Sequence, residues 1–147
     1  MIQRIQSVFM LFSIMISILL FFIPAISYVN FNESISVSCN PFAINDKMSP
    51  WFYVIAILNI FLLISVVYAL FLFKKRKIQV QFNSYSIICN LLLIICFMTL
   101  PFLNSEEYSK QFNWLFYLLP VSVISLFFSI KFIKKDEELV RSADRIR

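Results

Sequence analysis

The chain has 147 residues, of which 61% are apolar and 18% aromatic, and its 13 Lys and Arg against 8 Asp and Glu give a formal charge of +5. Too little polar sequence remains to coat a water-soluble globule, so one membrane domain is the economical reading and nucleic-acid binding is not the default. His and Gly are both absent, which removes the usual haem and zinc ligand, the side chain that titrates near neutrality, glycine loops for phosphate and glycine-based helix crossings.

Four stretches carry no charge: Ile5–Asn32, Met48–Phe73, Ile78–Ser105 and Gln111–Ile130. A bilayer core roughly 30 Å thick needs about 20 helical residues to span it. The pattern predicts an all-α fold, a four-helix transmembrane bundle, with spans at about 7–29, 51–73, 82–103 and 112–133. Outer loops fall at about 30–50 and 104–111, a cytoplasmic loop at 74–81 and a cytoplasmic tail at 134–147.

Span one follows Arg4 and ends near Pro24. Ala25-Ile26-Ser27 has cleavage-like spacing, but the apolar run is longer than a signal-peptide core, so a retained first helix is expected. The loop after it has polar residues, two prolines and no clear strand pattern, and reads as an ordered or partly ordered loop. It holds the lone Cys39 and the Asn32-Glu33-Ser34 sequon, which matters only in a glycosylating host.

Span two carries Asn59 and Ser65, and the run Lys74-Lys75-Arg76-Lys77 follows it. Arg4-Ile5-Gln6 and Lys77-Ile78-Gln79 both open a span with a proline near its outer end, an echo of three residues that reads as coincidence. Cys89 and Cys96 lie seven residues apart in span three. The helix rise separates them by about 10 Å, beyond the roughly 7 Å a disulfide tolerates. They are expected to be small hydrophobes at packed or lipid-facing positions.

Pro101 marks the outer end of span three, and Glu106-Glu107 reads as solvated loop charge. Span four contains Pro120, where neighbouring helices would relieve a kink, and Ser122, Ser125 and Ser129. Tyr28, Trp51, Tyr53, Tyr108, Trp114 and Tyr117 cluster at the outer boundary as an aromatic belt. Eleven positive charges lie at Arg4, in 74–77 and after span four, against Lys47 and Lys110 opposite. The positive-inside rule then puts both termini in the cytoplasm.

Apart from Lys131 at the inner end of span four, no span contains Asp, Glu, Lys or Arg, which argues against a proton-coupled carrier and against small multidrug exporters that depend on a membrane carboxylate. A lone outer thiol cannot cycle through an intramolecular disulfide. The chain is therefore expected not to be an enzyme and to hold no catalytic residue, metal or cofactor. Ser13, Ser17, Asn59, Ser65, Asn90, Thr99, Ser122, Ser125 and Ser129 are the polar residues noted within the spans. They read first as packing and interhelical hydrogen-bonding groups, with Asn59 and Asn90 facing the bundle interior.

The tail is the most patterned polar segment. Leu139, Val140, Ala143 and Ile146 fall on one helical face, and Glu137 and Arg141 form an i, i+4 pair opposite it. A short amphipathic helix continuing span four follows. It is either a solvated end whose lysines snorkel among anionic lipid heads or a docking stripe for a partner.

The start Met1-Ile2-Gln3-Arg4-Ile5-Gln6-Ser7, the basic run before span three and the ending Lys135-Asp136-Glu137-Glu138-Leu139-Val140-Arg141-Ser142-Ala143-Asp144-Arg145-Ile146-Arg147 resemble an uncharacterised family of small bacterial four-helix membrane proteins, known only as a domain of unknown function. The likeness covers nearly the whole chain. It implies the inner membrane of a Gram-negative bacterium and brings no activity to carry over. The leading expectation is a non-enzymatic accessory or assembly subunit that engages a membrane or cytoplasmic protein, or a second copy, through Leu139, Val140, Arg141, Ala143, Arg145 and Ile146. The alternative is a small carrier or channel for a neutral or amphipathic solute, lined by Asn59, Asn90 and the serines of span four.

Overall fold

A computed structural model describes residues 2–29, 34–40, 51–73, 75–103 and 109–144. Four helices form the body: α1 (Ile2–Phe22), α2 (Trp51–Phe71), α3 (Arg76–Leu103) and α4 (Trp114–Asp144). All four contain a stretch long and apolar enough to cross a membrane. They stand in a ring in which α1 packs chiefly on α4 and α2 on α3, with α3 against α4 and α1 against α2 closing it.

The chain is not purely helical. A three-stranded sheet of order β2-β1-β3 caps one end, built from β1 (Ile26–Val29), β2 (Ser34–Val37) and β3 (Ser109–Phe112). Both pairings are antiparallel, so that Ser27 stands opposite Ser36 on one side and Gln111 on the other. Span one was expected to run to residue 29, but α1 stops at Phe22. The cause is Pro24, which offers no N–H and biases Ile23 away from the helical region. The loop expected to lack strands contains β2, and Phe112, expected to open span four, belongs to β3. β2 alternates Ser with apolar residues, Ser34-Ile35-Ser36-Val37, the period-two pattern of a half-buried strand, whereas β1 carries a single Ser among Ile, Tyr and Val.

The sheet is sewn to the helices. Cys39 N–H donates to Leu20 O at 2.9 Å, satisfying a carbonyl at the end of α1, and Ala25 N–H donates to Val37 O at 2.9 Å. Asn113 donates from its backbone to Ala25 O and from Nδ2 to Pro24 O, both at 3.0 Å, just before α4 begins. The far ends of α1 and α4 are thereby joined. At the opposite end Lys75 N–H donates to Leu72 O at 2.9 Å, closing a tight turn between α2 and α3.

The helix expected to continue span four into the tail is the last part of α4, which runs unbroken through Pro120 to Asp144. Two apolar clusters fill the interior. The one under the sheet joins Leu20, Ala25, Ile26, Val37, Cys39, Phe52, Ile55, Leu93, Phe97, Leu115, Phe116 and Leu119. The other, toward the basic run, joins Met10, Leu62, Val66, Ala69, Cys89, Leu126 and Ile133. These two regions are called the sheet end and the basic end below.

Candidate functional site

A seam of polar side chains runs from the basic end past the middle of the bundle, among apolar residues. On α3 the buried positions Gln79, Asn83, Ser86 and Asn90 recur at alternating steps of four and three, the spacing that keeps side chains on one helical face. Gln6, Ser13 and Ser17 of α1, Asn59 and Ser65 of α2, and Ser122, Ser125 and Ser129 of α4 are buried with them.

Asn59 is fully buried and Asn90 is 1% exposed. Asn59 Nδ2 donates to Ser17 O at 3.1 Å, tying α2 to α1, and Asn90 Nδ2 donates to Ser122 Oγ, tying α3 to α4. Neither bond joins one asparagine to the other. Further along, Asn83 Nδ2 reaches Ser129 Oγ at 3.4 Å, Ser65 and Ser86 hydroxyls meet at 2.7 Å, and Gln79 Nε2 lies 3.9 Å from Met10 Sδ. The serines of α4 also donate backward, Ser122 to Leu119 O at 2.9 Å and Ser125 to Ser122 O at 2.7 Å. Thr99 differs from the rest, since it is exposed and donates to Ile95 O of its own helix at 3.0 Å.

At the mouth of the seam stands an ion pair. Arg76 Nη2 lies 2.9 Å from Asp136 Oδ2, and Arg76 Nη1 donates to Asp136 O at 3.3 Å. The guanidinium thus grips both the side chain and the backbone of α4 where that helix outgrows its neighbours. A groove opens beside it, lined by Phe73, Lys75, Arg76, Lys77, Ile78, Glu137 and Val140, with a volume of about 730 Å³. Its lining combines the apolar Phe73, Ile78 and Val140 with the cationic Lys75, Arg76 and Lys77 and the acidic Glu137.

Of the tail residues singled out from the sequence, Leu139 is 48% and Val140 44% exposed. Val140 lines the groove. Arg141 and Ala143 lie on α4, but their side chains are outside the described residues, as are Arg145 and Ile146 altogether. The sequon residues Asn32 and Glu33 and the Glu106-Glu107 pair also lie outside them.

Sequence reasoning passed over Gln6, Gln79, Asn83, Ser86 and the Arg76–Asp136 pair. Gln79, Asn83 and Ser86 were legible as a stripe, because their spacing continues to Asn90 and Leu93 on the same face of α3, and Gln6 stands in the same register with Ser13 and Ser17 of α1. The ion pair joins residues 60 apart in the chain, and no local pattern announces it. The cysteines are free thiols: Cys39 is buried under the sheet, Cys89 is buried in the second cluster and Cys96 is half-buried. Burial pushes the Cys39 thiol well above its ordinary range, so it is a packing group and not a nucleophile.

No curated protein and no solved structure matches the chain. The family model described as Domain of unknown function (DUF4293) matches residues 2–146, and the chain belongs to that family.

Proposed function

We propose that this is a multi-pass protein of a bacterial inner membrane, with both termini in the cytoplasm, that acts as a non-enzymatic accessory subunit and docks a partner on the extension of α4. The bundle's inverted polarity supports the membrane part of this reading. Only 33–39% of each candidate span is buried within the molecule, and the outward faces carry large apolar groups such as Val8, Met15, Ile57, Phe61, Ile64, Ile88, Ile95, Ile124 and Phe127. Water does not tolerate apolar surface on that scale, whereas hydrocarbon does. The orientation rests on the eleven positive charges at the basic end.

The observation that carries the docking reading is the exposure of Leu139 and Val140 beside the basic groove. Arg76 holds the helix at Asp136, so both side chains sit on a positioned rod and not on a loose tail. Lys75 and Lys77 line the groove with the apolar Phe73, Ile78 and Val140 and are exposed. The fitting partner is a cytoplasmic segment with an apolar face and acidic flanks. The carrier reading draws less support, because Asn59 and Asn90 spend their amide N–H groups on contacts between helices.

The test is recovery of partners in mild detergent from the intact chain, a chain lacking residues 136–147, and the double variant Leu139→Asp, Val140→Asp. A photo-crosslinking residue at position 140 identifies which recovered protein touches the groove. The expected outcome is one crosslinked protein with an acidic, apolar segment, lost from both altered chains. Identical recovery from all three chains overturns the docking reading.

A further inference from the structure

The polar seam does not satisfy itself. Gln6 Nε2, Ser13 Oγ and the side-chain oxygens of Asn59, Asn83 and Asn90 are buried without a hydrogen-bond partner among the described residues. Each of these residues is at most 5% exposed. Leaving one such atom bare costs about 1–3 kcal/mol, and interiors admit few of them. Five along one seam mark a place where something small is bound.

The chemistry of the five atoms defines the ligand. Three amide oxygens only accept, the Gln6 nitrogen only donates, and the Ser13 hydroxyl does either. No buried side chain of the seam carries a charge, so the ligand is neutral and must both donate and accept. It must also be smaller than the distance between the atoms. Asn83 and Asn90 lie seven residues apart on α3, about 10 Å along the helix, so one compact solute cannot serve both. Several molecules that each bridge two or three polar atoms can. Water is the smallest that does so.

The direction of entry follows from the two ends. Toward the sheet the seam meets Leu20, Phe52, Ile55, Leu93, Phe97, Leu115, Phe116 and Leu119, a plug of apolar side chains. Toward the basic end it passes Met10, Val66 and Ile133, which alternate with Gln6, Gln79, Asn83 and Ser129. It then reaches the Arg76–Asp136 pair, whose side chains are 24% and 16% exposed. We propose that the seam holds a file of bound water molecules, admitted from the basic end beside Arg76 and Asp136 and halted by the apolar plug under the sheet.

An internal regularity supports an axial site. Gln6, Met10, Ser13, Ser17 and Leu20 on α1 are matched 73 residues later by Gln79, Asn83, Ser86, Asn90 and Leu93 on α3, and every one of these is buried. On α2 and α4, Ala56, Asn59, Leu62 and Val66 are matched by Leu119, Ser122, Ser125 and Ser129, likewise buried. The two amide contacts fall at corresponding positions, since the pair Asn59–Ser17 matches the pair Ser122–Asn90, with the donor on α2 in the first and on α3 in the second. The three-residue echo at the starts of α1 and α3 is therefore part of a longer match between two helical hairpins, and the seam lies between them.

The site is independent of whether α4 binds a partner. The direct measurement is water-edited solid-state NMR on the full, unaltered chain in phosphatidylcholine and phosphatidylglycerol bilayers, read at the side-chain amides of Asn59, Asn83 and Asn90 and the backbone amides of Leu93 and Phe97. The expected result is water magnetisation arriving several-fold faster at the three side chains than at the plug. Equal, slow build-up at all five overturns the proposal. Entry is tested by reacting Ser129→Cys and Leu93→Cys variants, with the native cysteines replaced by Ala, with a small water-soluble methanethiosulfonate. Labelling of Ser129→Cys alone supports entry from the basic end. Labelling of Leu93→Cys alone, or of neither, overturns that direction.

Discussion

The two ends of the bundle are held together by different forces. At the sheet end the contacts are apolar side chains and backbone hydrogen bonds: Phe97 sets its ring edge-on to Phe116 at 6.4 Å, and β1 pairs with strands on both sides. At the basic end buried amides and hydroxyls cross between helices, and an ion pair stands at the mouth. On the proposed membrane placement, the contrast follows from what a helix surrounded by lipid can gain. Apolar burial does not distinguish a neighbouring helix from a lipid chain, so close packing and hydrogen bonds must select partners. The pairs α1–α4 and α2–α3 use aromatic packing for this, with Phe9 stacked 5.7 Å from Phe132 and Tyr68 edge-on to Phe82 at 4.8 Å. The bonds of Asn59 and Asn90 then lock one pair to the other.

The largest effect is expected where packing alone decides. Phe97 is fully buried in the plug, and Phe97→Ala leaves a cavity that the sheet-pinned helix ends cannot collapse to fill. A loss of about 3–5 kcal/mol is expected, read as a lower midpoint in denaturant titration of the detergent-solubilised chain. A loss below about 1.5 kcal/mol, the size of a core change that the surroundings absorb, contradicts a tightly packed plug.

Cys39 probes the same end through pH. Burial raises its thiol pKa above the ordinary 9.0, so in alkali the unfolded chain loses this proton while the folded chain keeps it. The unfolded state then binds fewer protons, and stability must fall as pH rises past that ordinary value. The contribution is fully present below it. Cys39→Ala should flatten the alkaline decline of the denaturation midpoint. In the intact chain at about pH 8, just below the free-thiol range, the Cys39 thiol should resist a water-soluble maleimide until denaturant is added, and ready reaction beforehand contradicts its burial under the sheet.

How much of this was legible in the sequence divides along the same line. The four apolar helices follow from uncharged length, a property each segment carries by itself. The sheet was hidden because Ile26-Ser27-Tyr28-Val29 continues the apolar run of α1, and only Pro24 separates the two. Moreover β3 comes from a loop 80 residues away, where Ser109 Oγ donates to Val29 O at 2.8 Å. Asn59 and Asn90 stood out because an amide among apolar residues is costly wherever it points. Gln6 and Gln79 did not, because they sit beside Arg4 and Lys77 where polar residues are commonplace. Only the helical register turns them inward. The Arg76–Asp136 pair needed the tertiary fold, since charges beside a membrane ordinarily face solvent.

The seam should respond more gently than the plug, and symmetrically. Asn59→Ala and Asn90→Ala each remove one bond between helices, and interhelical bonds of this kind contribute about 0.6 kcal/mol on average. The pairs Asn59–Ser17 and Ser122–Asn90 occupy corresponding positions in the two hairpins, which predicts similar losses. A double-mutant cycle of Asn90→Ala with Ser122→Ala should show coupling, because Asn90 donates to that hydroxyl. The cycle of Asn59→Ala with Ser17→Ala should show none, because Asn59 donates to the Ser17 backbone carbonyl, which the substitution leaves in place. Coupling of equal size in both cycles contradicts this assignment.

The smallest effect belongs to the Arg76–Asp136 pair. Its groups are partly open to solvent, and pairs of that kind contribute roughly 0–1 kcal/mol. Added salt should weaken it further, because exposed charges are screened at short range. Its value is positional. Asp136→Asn keeps the backbone carbonyl that accepts from Arg76 Nη1 and loses only the charge, whereas Arg76→Ala loses both contacts. Amide exchange along residues 136–144 should therefore quicken more in Arg76→Ala than in Asp136→Asn, while exchange in the sheet stays unchanged. If both variants leave that segment as protected as before, packing of α4 on its neighbours holds the extension, and the ion pair only decorates the mouth.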